Sequence, residues 1–118
     1  RDPSCVKVVC DNDGYALYFS RSPVPFVRDE APNFSLPKPM FLRHLGIYAY
    51  RRDYLLRLTA TPPQPLEQFE KLEQLRVLAL GGRIQVGVVS HYSFGVDTPE
   101  DYQRFVQTYR ATAPQQAA

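Results

Sequence analysis

Cys5-Val6-Lys7-Val8-Val9-Cys10, Asp11-Asn12-Asp13-Gly14 and Tyr15-Ala16-Leu17-Tyr18-Phe19 together decide how this chain folds. The first run is β-branched and apolar, and the last is rich in aromatic residues. Between them stand four turn-forming residues, with glycine where a left-handed backbone is needed. The pattern predicts a strand, a tight turn and a second strand. Cys5 and Cys10 lie an odd number of residues apart in an extended run, so their side chains point to opposite faces and do not suit a mutual disulfide. They are expected to be reduced core cysteines, and no paired Cys/His spacing suggests zinc.

Beyond this hairpin the composition changes. Pro23, Pro25, Pro32, Pro37 and Pro39 each remove a backbone donor between Ser20 and Pro39, which predicts a long surface loop. Loops of that length are usually functional or disordered. Residues 41–50, Phe-Leu-Arg-His-Leu-Gly-Ile-Tyr-Ala-Tyr, read as a further strand, central in the sheet because it is apolar on both faces toward its end. A short helix is expected from Arg51 to Thr59, broken at Thr61-Pro62-Pro63-Gln64-Pro65. The clearest helical periodicity follows: Leu66, Phe69, Leu72, Leu75, Val77 and Leu78 recur at three- and four-residue steps, predicting one helix over 66–80 that ends at Gly81-Gly82.

Arg83 to Ser90 reads as another strand. Thr98-Pro99-Glu100-Asp101 is a helix start with Thr as N-cap and Pro at the first helical position, and Tyr102, Phe105, Val106 and Tyr109 supply that helix's apolar stripe. The tail from Ala111 to Ala118 is expected to fray. Strands alternating with helices indicate an α/β class with a mixed sheet and flanking helices.

The bulk properties narrow the function classes. At 118 residues, 44% hydrophobic and 22% charged, the chain suits a soluble globular domain with one core. No apolar run approaches the roughly 18 residues of a membrane span. The net charge of +2 is small and its basic residues are dispersed, which argues against a nucleic-acid partner. No secretory signal is visible at Arg1-Asp2-Pro3-Ser4. A cytoplasmic protein with neither membrane nor nucleic-acid partner is expected.

Four places carry polar groups that periodicity does not explain. Arg21 stands at a strand end entering the proline-rich loop, where a guanidinium could grip a carboxylate or phosphate; the alternative is a surface arginine. His44 lies in an apolar strand and shares a face with Gly46 and Tyr48, where glycine leaves room for a ligand against the backbone. A satisfied core histidine is the competing reading. In the segment Glu67 to Arg76, Glu70 and Gln74 are one turn apart, as are Glu67 and Lys71, which by itself describes a solvated helix face. Asp97 follows a strand and precedes a helix, a place where α/β sheets collect ligands and a carboxylate could hold a hard cation; it could equally supplement the helix cap.

Taken in order, Val6-Lys7-Val8-Val9, Asp13 to Arg21, Phe41 to Tyr48, Pro65-Leu66-Glu67-Gln68, Leu72-Glu73-Gln74-Leu75-Arg76-Val77-Leu78 and Gly95-Val96-Asp97-Thr98-Pro99-Glu100-Asp101 resemble successive signature blocks of bacterial CMP-Kdo synthetases. These cytidylyltransferases activate the eight-carbon sugar acid Kdo with CTP for lipopolysaccharide biosynthesis. The resemblance runs to about Arg110 and implies the C-terminal part of a nucleotidyltransferase fold: a sugar-acid-binding and dimerisation part over residues 1–110, with a tail at 111–118. It implies that Arg21, His44, Tyr48, Glu73 and Gln74 line the sugar-acid pocket, and that Asp97 is catalytic as a Mg²⁺ ligand. CTP and Kdo would be the substrates and the assembly a homodimer. The anomeric hydroxyl of Kdo would attack the α-phosphorus of CTP and release pyrophosphate, with the metal easing the approach of two anions.

Two departures from the family pattern stand out. The glycine-rich basic loop that cradles the triphosphate, and the Gly-Asp-Glu-Pro stretch that shares the metal, occur nowhere in the sequence. Ser90-His91-Tyr92-Ser93-Phe94 replaces the expected proline- and glycine-containing approach to Gly95, and His91 matches no family role. The chain is therefore expected to be inert alone. The alternative is a non-catalytic sugar-acid-binding or dimerisation module without the nucleotide half. A sialic acid cytidylyltransferase fits less well, because the Leu42 to Tyr48 and Leu72 to Arg76 blocks point to Kdo.

Overall fold

The computed structural model describes residues 3–33, 40–90, 95–96 and 98–112. The chain forms two compact units, Arg1–Gly87 and Val88–Ala118.

The first unit is built on the hairpin. Strand β1 (Lys7–Cys10) pairs antiparallel with β2 (Ala16–Ser20), with Val8 opposite Phe19 and Val9 opposite Tyr18. Between Val9 and Cys10 the register shifts, so Cys10 faces Ala16 and Leu17 is thrown out to solvent. Asp11 closes the turn: one carboxylate oxygen accepts from the backbone N–H groups of Asp13 (2.9 Å) and Tyr15 (2.8 Å), while Gly14 takes φ +82°. Alternation turns Val8 and Phe19 inward, where they join Val6, Ala16, Leu72 and Leu75 as the core. Both cysteines are free, as expected, but half-buried rather than core residues.

Strand β3 (Leu42–Arg43) pairs antiparallel with β1, giving the order β2-β1-β3. The predicted central strand over 41–50 is therefore two residues long and sits at an edge of the described sheet; β1 is the middle strand. After His44 donates its N–H to Val6 O (2.9 Å), the Ile47 N–H bonds to Leu45 O (2.8 Å) and the chain curls out of the ladder. The predicted strand over 83–90 is likewise reduced, among the described residues, to one antiparallel bridge between Tyr15 and Gln85. It is flanked by bonds from Ala16 N–H to Ile84 O and from Val86 N–H to Gly14 O, both 2.9 Å.

Helix α1 (Arg52–Ala60) falls where the sequence places it. The single helix predicted over 66–80 is two: α2 (Pro65–Glu70) and α3 (Gln74–Ala79), separated at Lys71, whose φ of 54° and ψ of 49° are left-handed. Periodicity cannot register such a break, because lysine does not announce a left-handed backbone as glycine does. The predicted stop is observed: Gly81 takes φ +76°, and the N–H groups of Gly81 and Gly82 cap Leu78 O (3.0 Å) and Val77 O (2.9 Å).

The second unit contains α4 (Pro99–Thr112). Its start is the expected cap with a reciprocal bond: Thr98 Oγ1 accepts from the Asp101 N–H (3.1 Å), and the Asp101 carboxylate accepts from Thr98 N–H (3.2 Å) and hydroxyl (2.8 Å). No helix of the described residues is long and apolar enough to cross a membrane.

Candidate functional site

His44 and Tyr48 meet, by a different route from the one strand alternation suggests. Four residues of strand would separate their backbones by about 13 Å. The turn at Leu45-Gly46-Ile47 instead folds the chain back, and the Tyr48 hydroxyl lies 2.6 Å from His44 Nε2. The imidazole stands edge-on to Phe19 of β2, with ring centroids 5.3 Å apart. Burial holds His44 below its ordinary pKa. Burial, and then the neighbouring Tyr50, push Tyr48 well above its own. Near neutral pH both groups are uncharged, so a Tyr48 hydroxyl donating to Nε2 leaves the imidazole proton on Nδ1 as a free-standing donor.

Tyr50 extends this aromatic row, stacked on Tyr48 with centroids 6.0 Å apart. Its pKa is raised by burial, then by Tyr54, then by the Glu73 carboxylate. Glu73 is thus an electrostatic neighbour of the row, although distant in sequence. Sequence reading did not single out Tyr50; its alternation with Tyr48 was the available signal.

Glu73 and Gln74 occupy the start of α3, which packs against β2 and α2. Glu73 is exposed, whereas Gln74 is only 6% exposed and its Nε2 is buried with no hydrogen-bond partner. A buried amide donor left unpaired costs about 1–3 kcal/mol, so a fold that keeps one at a helix start invites explanation by a ligand.

Arg21 lies at the end of β2 with its guanidinium turned onto the chain. Nε donates to Glu70 O (2.7 Å), Nη1 to Pro3 O (3.0 Å) and Nη2 to Lys71 O (3.4 Å). Two of these bonds hold the α2 C-terminus to the end of β2, and the third ties the guanidinium to the segment before β1.

Two carboxylates that the spacing places on a solvated face point inward. Glu67 is buried and forms a two-pronged pair with Arg76: Nε to Oε2 at 2.8 Å and Nη2 to Oε1 at 2.5 Å. Arg76 holds the Glu67 carboxyl below its usual range, against the opposing effect of burial, and the Gln64 N–H adds to this. The same guanidinium donates Nη1 to Leu58 O (3.3 Å) and Thr61 O (3.1 Å), anchoring the end of α1. Glu70 accepts the Ser20 hydroxyl (2.7 Å) and the Arg21 N–H (3.0 Å). Burial would raise its pKa, but the Arg21 N–H, the Ser20 hydroxyl, the Arg21 charge and the Tyr18 hydroxyl together hold it low. Lys71 caps α2 with its N–H on Glu67 O, so those two remain one turn apart, whereas its left-handed backbone puts Glu70 and Gln74 on different helices.

Asp97 lies outside the described residues, as does His91. Among the described residues no group of three or more His, Cys, Asp or Glu side chains could hold a metal ion.

Comparison with known proteins follows the same lines. The family pattern described as cytidylyltransferase matches residues 1–84. The chain is 48% identical over 110 residues to the 3-deoxy-manno-octulosonate cytidylyltransferase of Geobacter sulfurreducens, covering 89% of this chain and 44% of that protein. It is 54% identical over 103 residues to the enzyme of the same name from Dichelobacter nodosus, covering 86% of this chain and 41% of that one. The fold is similar to the solved structure of a CMP:2-keto-3-deoxy-manno-octonic acid synthetase complexed with CTP. That match has a TM-score of 0.78 at 43% identity, covering 93% of this chain and 43% of that one. The chain thus spans less than half the length of the relatives it matches.

Proposed function

Because the chain belongs to the cytidylyltransferase family, we propose that it supplies the sugar-acid side of a site that transfers a cytidylyl group from CTP to Kdo, giving CMP-Kdo and pyrophosphate. The observation that carries this reading is the buried, unpartnered Nε2 of Gln74 at the start of α3. The nitrogen has essentially no exposed surface, so a sugar-acid oxygen becomes its acceptor only where the start of α3 opens to the ligand. Glu73 offers a carboxylate to the hydroxyls of the substrate. The His44–Tyr48 pair offers an uncharged donor and a phenolic oxygen without the cost of burying a charge. Arg21 has two N–H groups beyond those it gives to the backbone.

In this reading the residues orient the sugar acid so that its anomeric hydroxyl lies in line with the α-phosphorus, and exclude water that would compete for it. Asp97 remains a proposed Mg²⁺ ligand on the resemblance alone; the metal would lower the barrier to the approach of two anions. A homodimer in the cytoplasm belongs to the same proposal. Exposed Ile47 (84%) and Phe69 (87%) are compatible with an apolar contact between chains.

Titration of the chain with Kdo, and in parallel with N-acetylneuraminate, tests the pocket by calorimetry. Binding of Kdo in preference to the nine-carbon acid is expected, and absence of any heat with Kdo would remove the reading. Adding CTP and Mg²⁺ and following pyrophosphate separates the two roles. Kdo binding without release at an enzymatic rate from this chain alone fits a pocket that works only with a nucleotide half, or the non-catalytic module. Release restored when the N-terminal half of a relative is joined to the chain would exclude the module.

A further inference from the structure

Glu70 joins the end of β2, and with it Arg21, to the end of α2, a few residues before Glu73 and Gln74. It is the last residue of α2. One carboxylate oxygen accepts the Ser20 hydroxyl, the other accepts the Arg21 N–H, and the Tyr18 hydroxyl stands beside the same carboxylate and helps to hold it ionised. Its own carbonyl accepts Arg21 Nε at 2.7 Å. Ser20, only 2% exposed, in turn accepts the Ser22 N–H at 3.0 Å, so the chain of bonds continues into the loop beyond β2. Immediately after Glu70 come left-handed Lys71, then Glu73 and Gln74.

We propose that Glu70 is the positioning residue of the pocket, a carboxylate that locks the end of β2, and with it Arg21, to the elbow from which Glu73 and Gln74 emerge. This rests on the pocket reading given under Proposed function. The chemistry requires a carboxylate and not its amide. Every group that Glu70 meets is a donor: Ser20 O–H, Arg21 N–H and Tyr18 O–H. An ionised carboxylate accepts from all of them, whereas an amide sets an NH₂ against at least one and leaves a buried donor unpaired. The left-handed turn at Lys71 is intrinsically unfavourable and persists only where its surroundings over-determine it. Glu70 on one side and the Arg21–Lys71 O bond on the other supply that constraint.

The test is Glu70→Gln in the whole chain, read by NMR of the Gln74 side-chain amide and the Arg21 Nε–H, and by Kdo calorimetry well below the melting temperature. Val86→Ala, which trims the far side of the core, serves as a destabilised control. The expected result is a displaced Gln74 amide signal, Arg21 Nε–H exchange faster by about tenfold, and Kdo affinity weaker by about tenfold, on the scale of a lost hydrogen bond to a charged group. Val86→Ala should show none of the three. If Glu70→Gln lowers the melting temperature yet leaves the Gln74 and Arg21 signals as they are in the parent, Glu70 is merely structural and the inference is overturned. Should the variant not fold, Ser20→Ala removes one partner with its charge intact, and must move the same two signals, by about threefold in exchange; unchanged signals overturn the inference here too. The NMR readouts need no ligand. If the parent chain gives no heat with Kdo while Glu70→Gln still moves both signals, the elbow lock stands and only the assignment of the pocket to Kdo falls.

Discussion

Replacing Gln74 by methionine should make the protein more stable and less able to bind its ligand. The side chain is 6% exposed and its Nε2 has no partner, so the native state carries the desolvation of an amide NH₂ without compensation. Mutational experience puts such a group at about 1–3 kcal/mol. Methionine has nearly the same length and shape and removes the penalty with little change in packing. Allowing for imperfect fit, a gain of about 1 kcal/mol is expected, and for a unit the size of Arg1–Gly87 this raises the melting temperature by about 4–8 °C. Kdo affinity should fall at least about tenfold, since the donor that the pocket holds ready has gone. Thermal unfolding and calorimetry on the same preparation measure both. A lower melting temperature would mean that the amide is well satisfied in the folded protein, and undiminished Kdo affinity would mean that it serves no ligand; either refutes the reasoning. Stability gained where binding is lost is the usual signature of a functional group kept at a structural cost.

Two further outcomes follow from the geometry. Burial depresses the pKa of His44 below its ordinary 6.5, so the unfolded chain takes up the proton first; the stabilisation is complete above about pH 6.5 and is lost as pH falls through the folded value. Melting curves of the parent and of His44→Gln between pH 7.5 and about pH 5 should therefore converge on acidification, and a constant difference would show that the imidazole does not titrate differently on folding. The lowered carboxyls of Glu67 and Glu70 act in a separate and more acidic window, below their ordinary 4.5. At the elbow, Lys71→Gly should raise the melting temperature, because glycine takes φ 54° without the roughly 1 kcal/mol strain of an L-residue, partly offset by unfolded-chain entropy. A marked fall would show that the lysine side chain itself secures the turn.

The sequence by itself determined much of the local structure. The β-branched and aromatic runs flanking Asp11–Gly14 fixed the hairpin, Gly81-Gly82 fixed the end of α3, and Thr98-Pro99 with Asp101 fixed the start of α4. Each of these signals lies within a few residues of the bond it predicts, as with the Asp11 carboxylate on Tyr15 or Thr98 on Asp101. The order of blocks from Val6 to Asp101 likewise carried the family, because residue identities persist whatever their backbone does.

What tertiary structure alone decided was which polar groups face inward. Glu67 with Lys71, and Glu70 with Gln74, read as solvated i,i+4 pairs because periodicity assumes an unbroken helix. A left-handed Lys71 and an arginine nine residues on turned one into a buried ion pair, and the end of a strand 49 and 50 residues earlier made the other a clamp. Strand alternation puts His44 and Tyr48 on one face, but the contact between them is made by the turn that leaves the ladder at Leu45. The physical reason is common to all of these. A hydrogen bond between residues far apart in sequence depends on how the core packs the segments together, and no local pattern of side chains encodes that distance.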